Sequence, residues 1–403
     1  MKRSIPEFSA AIDRRYDASH SVVLRYRHTL RLEETEQEDS RLKDLLTTTS
    51  VREGLRVFPL LRYNGVEVDI LDETSLMYTN TVKSIDGCVT AANCLLNGHR
   101  RLVFESGGNT GMALTQYCER AGLETFFFVP SENLPLLDGR AFDRNSAHLI
   151  AVDAAGMVKQ LAAAFTVRND LMHVPQAAWR YQATAFLGCF LLEHLLEHAR
   201  YDHLVQSISA AFGPIGIYRI LEQHQETLGA LPTFLGIQQE ANCPMVRAWR
   251  HGSRKIHTQP IRSTADLLTQ VMYDSEPSTY GTTDDLWRIL DATRGDLTTV
   301  NHEDFGWFLG LRIDAEGVLD HLKNKGVDIA LRDGEVIDKT GLLGLVGALK
   351  AIASKRITEG SRVLVCLTGG TARPDGRARP ECRLAADDDT IPAAAVFEGK
   401  ARG

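Results

Sequence analysis

With 403 residues and 44% hydrophobic content, the chain is long enough for two or three domains with sizeable cores. Its 45 cationic and 52 anionic side chains leave a net charge of −7, which argues against a broad nucleic-acid footprint and an anionic membrane surface. No apolar run reaches the length of about 18 residues that a membrane helix needs, and the opening MKRSIPEFSAAIDRRYD lacks the apolar stretch of a signal peptide. The cysteines (Cys88, Cys94, Cys118, Cys189, Cys243, Cys366 and Cys382) form no CxxC pair. Free thiols in a reducing cytosol, and hence a cytoplasmic protein, are expected.

The first stretch, to about residue 50, is polar and charged, and short helices outside the core are expected there. From Val57 onward β-type runs alternate with helical patterns. VEVDILDE reads as a strand, SIDGCVTAANCLLNG as a helix ending at Gly98, and RLVFES as a strand. NTGMALTQYCERAG reads as a helix ending at Gly122, followed by the strands ETFFFVP and SAHLIAVD and the helix GMVKQLAAAFTV. RYQATAFLGCFLLEHLLEHA, from Arg180, is a helix whose apolar stripe belongs to the core. The alternation resumes with HLVQSIS, GIYRILEQHQETLG and TFLGIQQ, and closes with TGLLGLVGALKAIASK and RVLVCLTGG. Apolar strands separated by helices predict an α/β protein with open, mostly parallel, twisted sheets covered by helices on both faces.

Ligands of such sheets bind beyond the carboxyl ends of the strands, so the strand-to-helix turns are where chemistry is expected. Three stand out. Glu105–Gly111, ESGGNTG, sets glycines around Asn109 and Thr110 at a helix start, where free N–H groups and the positive dipole end suit an anion. Taken alone, it reads better as a tight connection with an Asn or Thr N-cap. Ser209–Gly216, SAAFGPIG, can cradle a phosphate, but Pro214 offers no N–H and only Gly213 and Gly216 are glycines. Cys366–Gly376, CLTGGTARPDG, puts Thr368 at a strand end beside two glycines, where its hydroxyl can bond a heterocycle nitrogen. Lys83, in TNTVKSIDG, stands at a helix start, where the dipole disfavours an ammonium and favours the free amine of Schiff-base chemistry. Spacing alone does not prefer Lys83 over Lys159, Lys339 or Lys350.

The order TVKSIDG, SGGNTGMALTQYCERAGL, the glycine loop with GIQQEANCPMVRAW, and DKTGLLGLVGALKAI…RVLVCLTGG resembles the fold-type-II pyridoxal-phosphate enzymes. Within them it is most similar to the threonine synthase branch, over roughly Arg25 to Arg373. The resemblance implies pyridoxal 5′-phosphate in a cleft between two domains, bound through its aldehyde by Lys83. The freed amine of Lys83 would then act as base and acid at the substrate Cα. It implies that Asn109 bonds the phenolic oxygen of the cofactor. Ser106, Gly107, Gly108 and Thr110 would hold the substrate carboxylate, and Gly213, Pro214, Ile215 and Gly216 the phosphate. Thr368 would face the pyridine nitrogen, a neutral partner that suits elimination through an aminoacrylate.

The chain departs from the family pattern at Gly107, where a second hydroxyl is usual, and at Ala211, Phe212 and Pro214, where glycines are common. SIDG replaces the usual DRG after the lysine. No arginine among Arg144, Arg168, Arg180, Arg247 and Arg250 has the spacing of a phosphohomoserine pocket. The resemblance, with these departures, implies a divergent member serving specialised metabolism.

The implied domains are 1–95 with 186–403, binding the cofactor, and a smaller mobile 96–185 carrying the SGGNTG turn. The stretch 374–403 is expected to be irregular and to lie across a neighbouring subunit of a homodimer. The substrate would be a small amino acid with a leaving group at Cβ or Cγ. A racemase or dehydratase of the same fold, or a pseudoenzyme, are the alternatives. His302, Glu303 and Asp304 read as a helix's first turn, and the pair His194 and His198 lacks a third zinc ligand.

Overall fold

The computed structural model describes residues 3–198, 200–257, 261, 263–274, 281–313, 315–327, 329–369 and 378–385. In chain order its elements begin with α1 (Ile5–Ala11), closed by a capping box between Ser4 and Glu7, then α2 (Val22–Tyr26) and α3 (Glu36–Thr49). A hairpin of β1 (Arg56–Tyr63) and β2 (Val66–Asp72) turns at Asn64 and Gly65, which take φ of 45° and 76°. Asn-Gly suits such a turn because both positions need positive φ. There follow α4 (Lys83–Leu96), β3 (Arg101–Glu105), α5 (Asn109–Arg120), β4 (Glu124–Pro130), β5 (Ala147–Val152), α6 (Val158–Arg168), β6 (Met172–His173) and α7 (Ala177–Glu197). Next are β7 (His203–Ser207), α8 (Phe212–Gln223), α9 (Gln225–Leu228), β8 (Thr233–Gln239), α10 (Pro244–Arg250), α11 (Thr283–Thr293), β9 (Asp296–Val300) and α12 (His302–Leu309). Two small hairpins, β10–β11 (Arg312–Ile313, Glu316–Gly317) and β12–β13 (Leu331–Arg332, Glu335–Val336), flank α13 (Val318–Asn324). The chain then forms α14 (Thr340–Ala353), β14 (Arg362–Leu367) and β15 (Cys382–Leu384).

The chain divides into two compact units. The larger comprises Met1–Leu30, Arg52–Val82 and Ala183–Ala372. Its six-stranded sheet runs β1-β2-β14-β7-β8-β9, parallel except for the edge hairpin. α14 lies on this sheet so closely that a Cβ at Gly347 would come within 2.4 Å of the Ile237 side chain. Its leucines and valines (Leu342, Leu345, Val346, Leu349) join Val68, Ile70, Val205 and Val365 in one core.

The smaller unit comprises Arg31–Val51, Lys83–Gln182 and Arg373–Gly403, wider than the 96–185 stretch read from the sequence. Its five strands, β15-β5-β4-β3-β6, are all parallel. Phe126 and Phe128 of β4 pack against Phe165 of α6, while Phe127, between them in sequence, meets Phe104 and Phe142. This alternation follows from the period of two along a strand. His148, 1% exposed on β5, bonds Glu124 and Glu381 with its two ring nitrogens at 3.2 and 3.1 Å. Burial alone would lower its pKa, but these bonds outweigh it and raise the pKa above the usual histidine value.

Two sequence expectations are corrected here. The opening segment forms short helices, but α2 is not outside the core, because Val22, Val23, Leu24 and Tyr26 are buried. Arg25 and Tyr26 both bond the carboxylate of Glu193 on α7, which fixes α2 in place. The tail is not wholly irregular, since Cys382–Leu384 adds a parallel strand to β5, helped by the Glu381–His148 bond. Positions 374–377 and 386–403 of that tail lie outside the described residues, as do 370–376 of the Cys366–Gly376 turn. Among the described residues no helix is long and apolar enough to cross a membrane.

Candidate active site

In the smaller unit Lys83 is the first residue of α4, at the helix start the sequence predicts. Its Nζ lies 3.2 Å from Oδ2 of Asp86, one turn further on, and its side chain is 26% exposed. The same oxygen lies 3.6 Å from Nη2 of Arg180. α4 is nearly all buried because α5 covers it at very short range. A Cβ at Gly87 would sit 2.8 Å from the carbonyl oxygen of Ala113 and 2.7 Å from the Tyr117 ring. Gly87 is four residues into α4 and Ala113 four residues into α5, so the contact lies about 6 Å along each helix from its start. This contact ties the helix that Lys83 opens to the helix that Asn109 opens.

The SGGNTG turn leads into that second helix. Ser106 Oγ accepts a hydrogen bond from the Gly108 N–H at 3.1 Å, and Gly108, with φ 157° and ψ −84°, precedes Asn109 as the N-cap. Asn133 donates from Nδ2 to the Gly107 carbonyl at 2.8 Å and is 2% exposed. Gly111 faces the ring of Phe127 so closely that a Cβ would lie 2.1 Å from it. Thr110 is half-buried in the first turn of α5. Glu105, which ends β3 just before the turn, holds Nε2 of His173 at 2.5 Å. That carboxylate raises the His173 pKa against the effect of burial.

In the larger unit the ends of two adjacent strands carry a pair of hydroxyls. Thr368, 8% exposed just past β14, has its Oγ1 3.3 Å from Oγ of Ser207, the last residue of β7. Whichever hydroxyl donates, the other keeps its hydrogen for a further acceptor. The Thr368 carbonyl accepts the N–H of Val82 at 3.3 Å, and Val82 is followed directly by Lys83. The turn after β7 enters α8 through Ala211, which takes a left-handed φ of 59°.

The helix begins at Phe212, so Gly213, Pro214, Ile215 and Gly216 lie inside its first turns and not in the loop before it. The Ile215 N–H bonds the Ala211 carbonyl. Gly216 turns its bare side to Thr184 of α7, where a Cβ would come within 2.4 Å. By position, the amides of Phe212 and Gly213 are those that helix geometry leaves outside the i→i−4 ladder. A Cβ at Gly213 would lie 2.6 Å from Gln206 Nε2, the movable end of a flexible side chain.

Asp86, Ser207 and Asn133 escaped the sequence reading. Asp86 had a signal in its i+3 spacing from Lys83, and Ser207 in its place at a strand's end. Asn133 had none. The side features resolve as structure. Asn301 and Asp304 form a capping box that starts α12, and His302 bonds the Asp266 carbonyl. His194 lies 3.3 Å from the Tyr201 hydroxyl, and burial with His198 nearby pushes its pKa down to about 4. Among the described residues no group of three or more His, Cys, Asp or Glu side chains could hold a metal.

Taken unit by unit, the chemistry present suits pyridoxal phosphate: an amine at a helix start in the smaller unit, and a hydroxyl pair at adjacent strand ends in the larger. The largely parallel sheets, flanked by helices, are those of the fold-type-II pyridoxal-phosphate enzymes. Residues 60–319 match the family described as pyridoxal-phosphate dependent enzyme, and the chain belongs to that family. It is similar to the cysteate synthase of Methanosphaerula palustris, 25% identical over 279 residues, covering 67% of this chain and 61% of that one. The cysteate synthase of Methanosarcina acetivorans is 21% identical over 318 residues, covering 74% and 70%. Among solved structures, the fold is similar to diaminopropionate ammonia lyase from Escherichia coli in complex with its aminoacrylate-PLP azomethine intermediate. That likeness has a TM-score of 0.61 and 13% identity, covering 90% of this chain and 93% of that one.

Proposed function

We propose that the chain eliminates or replaces a leaving group at Cβ, or Cγ, of a small amino acid, in the manner of the threonine synthase branch. When bound, pyridoxal phosphate supplies the electron sink for the developing negative charge at Cα. The chain's own groups do the rest. Lys83 holds the cofactor through its amine and moves the proton at Cα. Ser106, Thr110 and the N–H groups at the start of α5 hold the substrate carboxylate, and Asn109 bonds the cofactor's phenolic oxygen. Gly213 and the amides before it hold the phosphate.

The observation that carries the reading is the hydroxyl pair of Thr368 and Ser207 at the strand ends. A neutral partner for the ring nitrogen leaves the sink moderate, which favours expulsion of a leaving group over long-lived charge on the ring. Relatives named as cysteate synthases support amino-acid synthesis by replacement. With all seven cysteines free, the same reading carries a cytoplasmic enzyme, and we infer that it acts as a homodimer.

The test offers the loaded enzyme serine and homoserine derivatives bearing phosphate or acetate on oxygen. Release of the leaving group in step with product is the expected result. Exchange or inversion at Cα with the leaving group retained would identify a racemase and overturn the proposal.

A further inference from the structure

The carboxylate of Asp86 is nearly sealed from solvent, with 3% of its side chain exposed. Its Oδ2 serves two cations, Lys83 Nζ at 3.2 Å and Arg180 Nη2 at 3.6 Å. Its Oδ1 is buried and has no hydrogen-bond partner among the described residues. All three residues belong to the smaller unit. A buried carboxylate with an orphaned oxygen is costly, and in a native structure it calls for a reason. The helix dipole favours an acid in the first turn of α4, but it would do so for an exposed acid as well. It does not account for a carboxylate set beneath a lysine and an arginine at once.

We propose that Asp86 is the positioning residue for the Lys83 amine, and that Arg180 tunes its hold by drawing on the same oxygen. Each cation weakens the claim of the other. The amine is therefore kept at the start of α4 without being locked to the carboxylate. When it turns to another partner, Arg180, which cannot give up its proton, stays to balance the buried charge. This last step rests on Lys83 being the cofactor lysine; the competition for Oδ2 does not.

The test acylates the full-length chain, cleared of bound cofactor, with a limiting amount of the N-hydroxysuccinimide ester of acetic acid. Modification at Lys83 is read by peptide mass spectrometry against the exposed Lys325. Asp86→Asn should label Lys83 roughly two- to fivefold faster, the size expected from losing a partly exposed ion pair. Arg180→Gln should label it slower, by roughly twofold, because Asp86 then serves Lys83 alone. Arg180→Lys should stay near wild type. Loosening of the fold would speed labelling in both variants, so the opposite signs separate tuning from damage. Unchanged rates, or acceleration in both, would overturn the proposal. If Asp86→Asn does not fold, Arg180→Gln alone decides: slower labelling supports the competition, and unchanged or faster labelling overturns it. The readout needs no bound cofactor, so a chain that fails to take up pyridoxal phosphate would count against the proposed function and not against this pairing.

Discussion

The turn from β3 into α5 and the turn from β7 into α8 both start a helix after a parallel strand, yet they use glycine differently. In SGGNTG the N-cap is Gly108, and Gly111 lets α5 lie on the ring of Phe127. In SAAFGPIG the left-handed position is filled by Ala211, although glycine would take it at lower cost. The glycines there, Gly213 and Gly216, press instead on Gln206 and Thr184. A glycine's place in a motif thus does not state its task; the atoms facing it do. At Gly216 the bare Cα lets one helix pack on another.

The comparison can be broken from either side. The larger effect should come from Gly111→Ala. Its Cβ would overlap Phe127, which is fully buried and flanked by Phe104 at 5.4 Å and Phe142 at 6.2 Å, so the ring has little room to move. Overpacking of this kind costs about 1–3 kcal/mol. Urea unfolding that shows wild-type stability would mean that α5 can shift away from β4, and the account of that turn would fail.

Ala211→Gly should do least. Removing the left-handed penalty of about 1–2 kcal/mol is offset by a lost buried methyl, about 0.8 kcal/mol, and by a looser unfolded chain. Stability within about 1 kcal/mol of wild type is expected. A much larger loss would show that the Ala211 methyl is needed where it stands, and the two turns would then be alike in demanding one residue.

The α/β rhythm was legible because buried parallel strands are apolar throughout, as in ETFFFVP and RVLVCLTGG, and because Gly98 and Gly122 mark helix ends with positive φ. β9 went unread because DLTTV is half polar and short, and it becomes a strand through its pairing with β8. The helix read as GIYRILEQHQETLG breaks at His224, where α8 gives way to α9. β15 depends on contacts more than two hundred residues away in sequence, from Glu381 to His148.

Among the candidate residues, Lys83, Asn109 and Thr368 stand at element ends that local pattern could locate. Ser207 and Asn133 gain their meaning from partners across the fold, Thr368 and the Gly107 carbonyl, which no local spacing encodes.

The central claim is that Lys83 carries the cofactor. Its most direct measurement adds pyridoxal phosphate to wild type and to Lys83→Ala, reduces both with borohydride, and maps the labelled peptide. Wild type should show the visible absorbance of a lysine-bound cofactor, at about 410 nm, with the label on Lys83. The variant should lose both. A wild type that stays colourless, or a variant that keeps the reduced adduct at another lysine with unchanged absorbance, would contradict the account.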